Sequence, residues 1–167
     1  MTVKILVASQ SDAHTLAELQ YLSHTTAFAK FASPEWVSSR SLLAYEKQWD
    51  EFFSDTQSTD NVSRAWKAED KGAVVGMVKI SPANAAEAHL ASMHVHPEHH
   101  RRGIGSLLMD GAVKYMKEAG FEIASLGVIQ GNTAARSMYE QRGWTVHELQ
   151  DTGIEGVPIA IYRLPLK

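Results

Sequence analysis

The sequence predicts one mixed α/β domain, a sheet of about seven strands with about four helices distributed over both of its faces. Two observations support this prediction. Short apolar segments bounded by turn residues alternate with longer segments in which apolar residues recur every three to four positions. No repeat, low-complexity tract or linker divides the 167 residues, which is the length of one globular domain. We therefore expect residues 1–167 to form a single domain.

The predicted strands are short apolar segments that end at glycine, proline or polar turn residues. Pro97 is expected to end the strand before it, because proline has no N–H to donate to a sheet. The predicted strands cover residues 4–8, 62–68, 73–80, 89–95, 121–129, 144–148 and 158–164.

The predicted helices are recognised by their apolar period and by the residues at their ends. Ser11 can cap the first helix, in which Leu16, Leu19 and Leu22 form an apolar stripe. Gly120 can end the long third helix. The later predicted helices cover residues 38–53, 104–119 and 132–142, and residues 55–61 are expected to form a polar turn.

The composition excludes several classes of protein. Sixteen Lys and Arg against nineteen Asp and Glu give a net charge of −3, which argues against nucleic-acid binding. The absence of cysteine excludes disulfides, thiolate metal ligands and thiol catalysis. No apolar run approaches the roughly 18 residues of a membrane span, and the first residues do not resemble a signal peptide. We therefore expect a soluble cytoplasmic protein without membrane contact.

A glycine-rich segment joins the predicted fourth strand to the third helix. Two glycines one residue apart at a helix start allow the backbone to approach a ligand closely. The first N–H groups of a helix favour an anion, so a phosphate or pyrophosphate is the natural ligand. The pattern is neither a Walker motif nor a Rossmann fingerprint, and a plain strand-to-helix turn is the alternative. The segment reads His100-Arg101-Arg102-Gly103-Ile104-Gly105-Ser106.

A second segment surrounds the last predicted helix. Asn132, Ala135 and Tyr139 are spaced by three and four residues and therefore share one helix face. A phenol on that face could donate a proton to a leaving group. The alternative is a core aromatic residue whose hydroxyl reaches the surface.

Together, the two segments resemble the GNAT superfamily of N-acetyltransferases. The family pattern Gln/Arg-x-x-Gly-x-Gly/Ala corresponds to residues 100–105, although His100 stands where the family usually has Gln or Arg. The segments lie about thirty residues apart, and the order of elements fits the family over nearly the whole chain. The resemblance implies a mixed, mostly antiparallel sheet. The later family pattern, Asn-x-x-Ala-x-x-x-Tyr followed by Gly and an aromatic residue, corresponds to Asn132, Ala135, Tyr139, Gly143 and Trp144.

The resemblance implies an enzyme that transfers an acetyl group from acetyl-CoA directly to an amine, without a metal. The pantetheine arm would pair with residues 93–95 like an extra strand. Asn132 and Ala135 would border this arm, and Tyr139 would protonate the departing thiolate. The residues implied to bind acetyl-CoA are Met93, His94, Val95, His100, Arg101, Arg102, Gly103, Ile104, Gly105, Ser106, Asn132, Ala135 and Tyr139.

One of the eight histidines is a candidate general base. Counting eleven residues back from the first motif position leads to His89, where histone-modifying relatives have a Glu and arylalkylamine relatives a His. An imidazole titrates near neutral pH, which suits removal of a proton from an ammonium group. Glu87, a water molecule or the absence of a base are the alternatives.

Strand alternation places the neighbouring histidines on two faces. His89 is expected on one face with Met93 and Val95, and His94 and His96 are expected on the other. His94 and His96 could then form part of a metal site, but no third ligand is placed to complete it. We therefore expect no metal.

A surplus of acidic residues suggests a class of acceptor amine. In the family, the first two helices and the loop between the last two strands wall the acceptor pocket. Residues 35–70 hold eight acids and four bases, which would suit a small polyamine-like amine, and a solvated helix face is the alternative. The acids of this helical half are Glu35, Glu46, Asp50, Glu51, Asp55 and Asp60.

Other functions and an oligomeric state remain open at this point. The chain could acetylate the N-terminus or a lysine of a protein, or it could be a non-catalytic acyl-CoA-binding sensor. A homodimer could form along an edge strand such as residues 158–164.

Overall fold

The structure is a computed structural model that describes residues 2–58 and 62–167. The strands are β1 (Lys4–Val7), β2 (Arg64–Asp70), β3 (Ala73–Pro82), β4 (Glu87–Val95), β5 (Ile123–Ile129), β6 (Thr145–Ile154) and β7 (Val157–Pro165). The α-helices are α1 (Ala13–Thr25), α2 (Pro34–Ser38), α3 (Leu42–Ser58), α4 (Ile104–Glu118) and α5 (Thr133–Gln141).

The seven strands form one sheet in the order β1-β2-β3-β4-β5-β7-β6. Every neighbouring pair is antiparallel except β4 and β5, which are parallel. The predicted fold class, a mixed and mostly antiparallel sheet with flanking helices, is therefore confirmed. Among the described residues, no helix combines the length and apolar character that a bilayer crossing requires.

The helical half differs from the prediction in detail. The sequence analysis missed the short helix α2, which begins at a Ser-Pro step where the Ser33 hydroxyl accepts a hydrogen bond from the Trp36 N–H at 3.1 Å. The next helix begins at Leu42, four residues later than predicted, because Ser41 caps it through the Ala44 N–H. It extends to Ser58, so most of the expected polar turn at residues 55–61 is helical, and residues 59–61 lie outside the described residues.

The sheet has two covered faces. On the side named here the α4 face, α4 and α5 pack on the sheet around buried residues such as Leu108, Met116 and Trp144. On the side named the α1 face, α1 and α3 enclose a smaller core that contains Leu16 and Trp49. Burial of large apolar side chains of this kind contributes about 1.5–3 kcal/mol each and holds the helices against the sheet.

A β-bulge in β4 overturns the predicted placement of the histidines. The register passes from Met77↔His94 to Lys79↔Ala91, so β4 uses one residue more than β3, and Ser92 has a positive φ of 52°. The predicted grouping of His89 with Met93 and Val95, opposite His94, is therefore wrong, because the extra residue shifts the alternation. The α4 face receives Ala88, Leu90, Met93 and Val95, whereas His89 and His94 share the α1 face.

The strands β4 and β5 separate along part of their length. Their pairing begins at Glu87↔Ile123 and ends at Leu90↔Leu126. Beyond that point β5 stays paired with β7 as far as Ile129, while residues 91–95 of β4 pair only with β3 within the described part of the chain. The divergence leaves a slot between two strands in the middle of the sheet.

The sheet edge is not where the sequence suggested. The segment predicted as an edge strand, residues 158–164, lies within β7, which sits between β5 and β6. That expectation is wrong, because the long β6–β7 hairpin places β6 outside β7. The edge strand β6 exposes Val146, Leu149 and Ile154.

Candidate active site

The glycine-rich segment forms a turn that ends in the first residues of α4. Gly103 has a left-handed backbone (φ 78°), a conformation that glycine adopts without strain. The first bond inside the helix runs from the Leu107 N–H to the Gly103 carbonyl at 3.1 Å. The N–H groups of residues 104–106 precede this bond and project from the positive end of the helix, an arrangement that favours an anion.

Two side chains of this segment serve the loop itself. The His100 ring donates through Nε2 to the Val95 carbonyl at 2.8 Å and ties the loop to the end of β4. Arg102 pairs with Asp70 at 3.2 Å. The Arg101 side chain is exposed, and its backbone has a positive φ of 60°. Of the two arginines, Arg101 is therefore the one whose charge is not already committed to an ion pair of the described residues.

The helix α5 stands beside the start of α4. The Ser106 hydroxyl donates to the Met138 sulfur at 3.9 Å, which links the two helices. The Asn132 side-chain oxygen accepts from the Ala135 N–H at 3.3 Å and caps α5. The residues of both motifs that were predicted to bind acetyl-CoA are thus brought together on the α4 face, at the end of the slot nearest to the start of α4.

Tyr139 is almost fully buried in the core of the α4 face. Its ring lies 6.3 Å from that of Trp144 and 6.1 Å from that of Tyr162. Burial raises the pKa of Tyr139 to about 12. The phenol is therefore protonated at neutral pH, as a proton donor must be.

His89 lies on the opposite face of the sheet from Tyr139. Its Nδ1 is 3.0 Å from the Ser125 hydroxyl of β5, and its ring is partly exposed. Burial lowers the pKa of His89, the nearby Glu87 opposes this shift, and Lys79 adds to it. The imidazole is therefore neutral at neutral pH and can accept a proton.

Glu87, the alternative base, is already engaged. Its carboxylate pairs with Arg163 of β7 at 3.0 Å, and the carboxylate is mostly shielded from solvent. An ion-paired carboxylate is a weaker proton acceptor than a neutral imidazole with a free ring nitrogen. The geometry favours His89 over Glu87.

A row of polar residues, named here the polar band, crosses four adjacent strands on the α1 face. His89 and Glu87 are its central members, and the sequence analysis considered only these two. Lys79, Ser125 and Arg163 are each a polar residue within a mostly apolar strand. This local pattern does not show which residues lie beside them in the folded sheet. The polar band consists of Lys79, Glu87, His89, Ser125 and Arg163.

A cluster of aromatic rings covers the part of the α1 face around His94. His24 Nδ1 lies 2.6 Å from the Tyr45 hydroxyl, and the rings of His24 and His94 are 5.1 Å apart. Burial lowers the pKa of His94 to about 3 and that of His24 to about 4. Both rings are therefore neutral near pH 7. This aromatic cluster comprises His24, Phe28, Trp36, Tyr45 and His94.

An ion pair joins the aromatic cluster to the β6–β7 turn. The Arg40 guanidinium lies 4.1 Å from the Trp36 ring centroid and pairs with Glu155 at 2.6 Å. This contact connects the segment between α2 and α3 to the turn of the β6–β7 hairpin.

The described residues offer no metal site. Within residues 2–58 and 62–167, no three His, Asp or Glu side chains come together in an arrangement that could hold a metal ion. His94 in particular is enclosed by aromatic rings.

A comparison with known protein families identifies the class of protein to which this fold and site belong. The model of the acetyltransferase (GNAT) family matches residues 25–144. The chain belongs to this family.

Solved structures share the fold over nearly the whole chain at low sequence identity. PaiA N-acetyltransferase from Thermoplasma acidophilum, in complex with coenzyme A, is 23% identical with a TM-score of 0.84, covering 99% of both chains. The ribosomal-protein-S18-alanine N-acetyltransferase from Escherichia coli is 19% identical with a TM-score of 0.75, covering 99% of this chain and 95% of that one. A spermidine N-acetyltransferase SpeG chimera from Vibrio cholerae and hSSAT is 16% identical with a TM-score of 0.74, covering 99% and 96%. No curated protein matches the chain.

Proposed function

We propose that the protein is an acetyl-CoA-dependent N-acetyltransferase that moves the acetyl group directly to a primary amine. The observation that carries this proposal is the slot between β4 and β5, which is flanked by a candidate base on one face and a candidate acid on the other. His89 lies on the α1 face and Tyr139 on the α4 face. A thioester held in the slot would be open to attack from one side and to protonation from the other.

The residues present fit acetyl-CoA. The N–H groups of residues 104–106 suit a pyrophosphate, with Arg101 as the nearby free cation. Residues 93–95 of β4 have a strand edge that faces the slot and can pair with the amides of the pantetheine arm. Similar folds crystallised with coenzyme A support this assignment.

The chain's own residues would move two protons. When the His89 Nδ1–H donates to Ser125, the Nε2 lone pair is free to take a proton from the acceptor ammonium, whose pKa is near 10. Acetyl-CoA supplies a thioester carbonyl, at which the C–N bond forms and the C–S bond breaks. Tyr139 gives its proton to the departing sulfur, and the second proton, which the nitrogen loses as the amide forms, restores the phenol through solvent.

The acceptor class is a separate part of the proposal. A small polyamine-like amine was suggested by acids of the helical half, but Glu46 contacts His14 at 2.6 Å and Asp50 contacts Gln10 at 2.6 Å. These carboxylates hold α3 against α1 and the turn that precedes α1. Asp60 lies outside the described residues. The similar folds include enzymes named for spermidine and for a ribosomal protein, so both a small amine and a protein acceptor belong in the test.

Calorimetry and thiol release test the proposed function. We expect acetyl-CoA to bind, and Gly103→Asp to weaken binding by at least about tenfold because a carboxylate would face the pyrophosphate. The matched control is Gly120→Asp, since Gly120 also has a left-handed backbone (φ 91°) with open space around it but lies at the other end of α4.

A panel of small amines and peptides then separates the candidate functions. Thiol release with small amines supports the proposal, and release with peptides alone supports a protein acetyltransferase. Binding of acetyl-CoA without release on any acceptor indicates a sensor domain. Failure of acetyl-CoA to bind contradicts all three.

We propose that the protein forms a homodimer that pairs along β6. This edge strand exposes Val146, Leu149 and Ile154. Light scattering should then report a dimer for the parent and a monomer for Leu149→Lys. A monomeric parent would contradict this assignment.

A further inference from the structure

Lys79 is a cation for which the reaction so far has no use. It lies on β3 with its ammonium group 5.0 Å from the ring centroids of both Trp49 and Phe52. Among the described residues, no carboxylate lies within 4.0 Å of it and it makes no hydrogen bond. The aromatic rings stabilise the ammonium in part, but they leave the position of an anionic partner free.

The one carboxylate of the polar band already has a cationic partner. Glu87 is the carboxylate of the polar band, and it pairs with Arg163 at 3.0 Å. The Nε of Arg163 is buried without a hydrogen-bond partner. The polar band therefore holds two basic side chains, Lys79 and Arg163, against one carboxylate, and it is short of negative charge.

Lys79 stands beside the candidate base. In the sheet register Lys79 is paired with Ala91, and His89 lies two residues before Ala91 in β4, on the same face. The Cα atoms of residues in this diagonal relation are about 7–8 Å apart. The Lys79 ammonium is also close enough to His89 to lower the pKa of its imidazole, so both side chains can face one small acceptor molecule.

We propose that the acceptor is an amine that carries a carboxylate, as an amino acid does, and that Lys79 binds this carboxylate while His89 faces the amino group. The inference rests on the proposed function, because it assigns the acceptor of that same site. A diamine or polyamine fits poorly, since its second ammonium would approach Lys79 and Arg163. Burial lowers the pKa of Lys79, and an arriving carboxylate would stabilise the charged ammonium again.

Matched acceptor pairs test the proposal. Ornithine and putrescine share a skeleton and differ by one carboxylate, as do phenylalanine and 2-phenylethylamine. We expect the amino acid of at least one pair to have a kcat/KM at least tenfold above that of its decarboxylated partner. Equal or higher kcat/KM for the decarboxylated amine in both pairs would overturn the proposal.

Variants of Lys79 connect the preference to this side chain. Lys79→Met should raise KM for the amino acid by at least tenfold and leave KM for the decarboxylated amine nearly unchanged, and Lys79→Arg should restore most of the preference. Lys47→Met is the matched control, because Lys47 lies exposed on the outside of α3. An equal loss for both members of a pair would show that Lys79 acts on the fold alone and would overturn the proposal.

A binding measurement separates this proposal from the proposed function. Saturation-transfer NMR with the coenzyme A-loaded protein measures whether the same amino acids and amines bind without turnover. Binding of an amino acid that is lost in Lys79→Met, without thiol release on any acceptor, would support the carboxylate site and contradict the transferase. Thiol release without a carboxylate preference would support the transferase and contradict the carboxylate site.

Discussion

His89 and Tyr139 are held in complementary protonation states by their surroundings. Burial lowers the pKa of the imidazole, so this base is neutral at pH 7. Burial raises the pKa of the phenol to about 12, so this acid keeps its proton. One physical cause, removal from water, therefore prepares both groups for their proposed roles because they have opposite charge types.

Replacement of His89 should change the pH profile of the reaction. The parent should gain kcat/KM as pH rises through the lowered pKa of His89, below 6.5, and should then level off. His89→Ala should be slower by about 10²-fold at pH 7 and should approach the parent near pH 10, where the amine loses its own proton. Thiol release between pH 5 and pH 10 measures this, with His14→Ala, an exposed histidine, as the control. An unchanged profile would remove His89 from the mechanism.

Tyr139→Phe should affect the chemical step and spare binding. The phenol hydroxyl makes no hydrogen bond to any described residue, so its removal should cost little stability. We expect kcat to fall by about 10²-fold or more, with the calorimetric affinity for acetyl-CoA nearly unchanged. Tyr115→Phe is the control, because it removes a hydroxyl that donates to the Val62 carbonyl at 3.1 Å, away from the slot. A parent-like kcat would make Tyr139 a core residue only.

The sequence identified the candidate residues that lie in local motifs and missed those that depend on register. The glycine turn and Asn132 act through backbone geometry of a few consecutive residues, which a local pattern specifies. Lys79 and Ser125 reach His89 from neighbouring strands, and this adjacency depends on pairing that no single segment encodes. The face assigned to the histidines was wrong because Ser92 adds a bulge residue, and nothing in its local pattern marks that position.

At the scale of elements, the contact between α4 and β3 positions the glycine-rich turn at the start of α4. Gly76 of β3 lies directly beneath the first turns of α4. A Cβ at this position would stand 3.0 Å from Leu108 Cδ1 and 3.1 Å from Ile104 Cγ2. The glycine therefore allows α4 to approach the sheet and sets the height of its N-terminus.

Gly76→Ala should weaken both stability and cofactor binding. The added methyl group must displace Ile104, the first residue of α4, so we expect a loss of about 1–3 kcal/mol in the free energy of unfolding. Acetyl-CoA affinity should fall by several-fold as residues 104–106 move. Urea unfolding and calorimetry measure the two effects. Gly111→Ala in the same helix has open space around it and should instead stabilise, by up to about 1 kcal/mol.

Most elements could be predicted, but their order in the sheet could not. The long amphipathic helix α4 and the apolar strands have strong periodic patterns. The helix α2 is five residues long, too short to show a period. The position of β7 between β5 and β6 depends on which strand edges meet in the folded sheet, and the sequence analysis therefore took an inner strand for an edge.

At the scale of the whole molecule, two neutral imidazoles make the fold sensitive to acid. His94 has a pKa of about 3 and His24 of about 4, against 6.5 for the unfolded chain. Between these values the unfolded state binds more protons than the native state. Stability is therefore complete above pH 6.5 and is lost progressively as pH falls towards 4 and 3.

The free energy of unfolding should accordingly fall between pH 7 and pH 5. Each imidazole contributes on the order of 2 kcal/mol to this loss. His94→Phe should remove roughly half of the pH dependence, whatever its effect on stability at pH 7, and His147→Gln, an exposed histidine, should leave it unchanged. Urea titrations at several pH values measure the slope. A parent whose stability does not change between pH 7 and pH 5 would show that these rings are solvated in the native state.

Because β4 pairs with β5 along only part of its length, the sheet divides into two parts, named here the leaves, which a short paired segment joins. One leaf is β1 to β4 and the other is β5 to β7, and four residue pairs connect them along the strands. A pantetheine arm that bonds to β4 inside the slot would bridge the leaves and restrict their relative motion. The backbone amides among residues 93–95 that are not bonded to β3 should then exchange hydrogen with solvent quickly in the free protein and slowly with coenzyme A bound. The gap in the sheet thus makes the rigidity of the whole molecule depend on what occupies the slot.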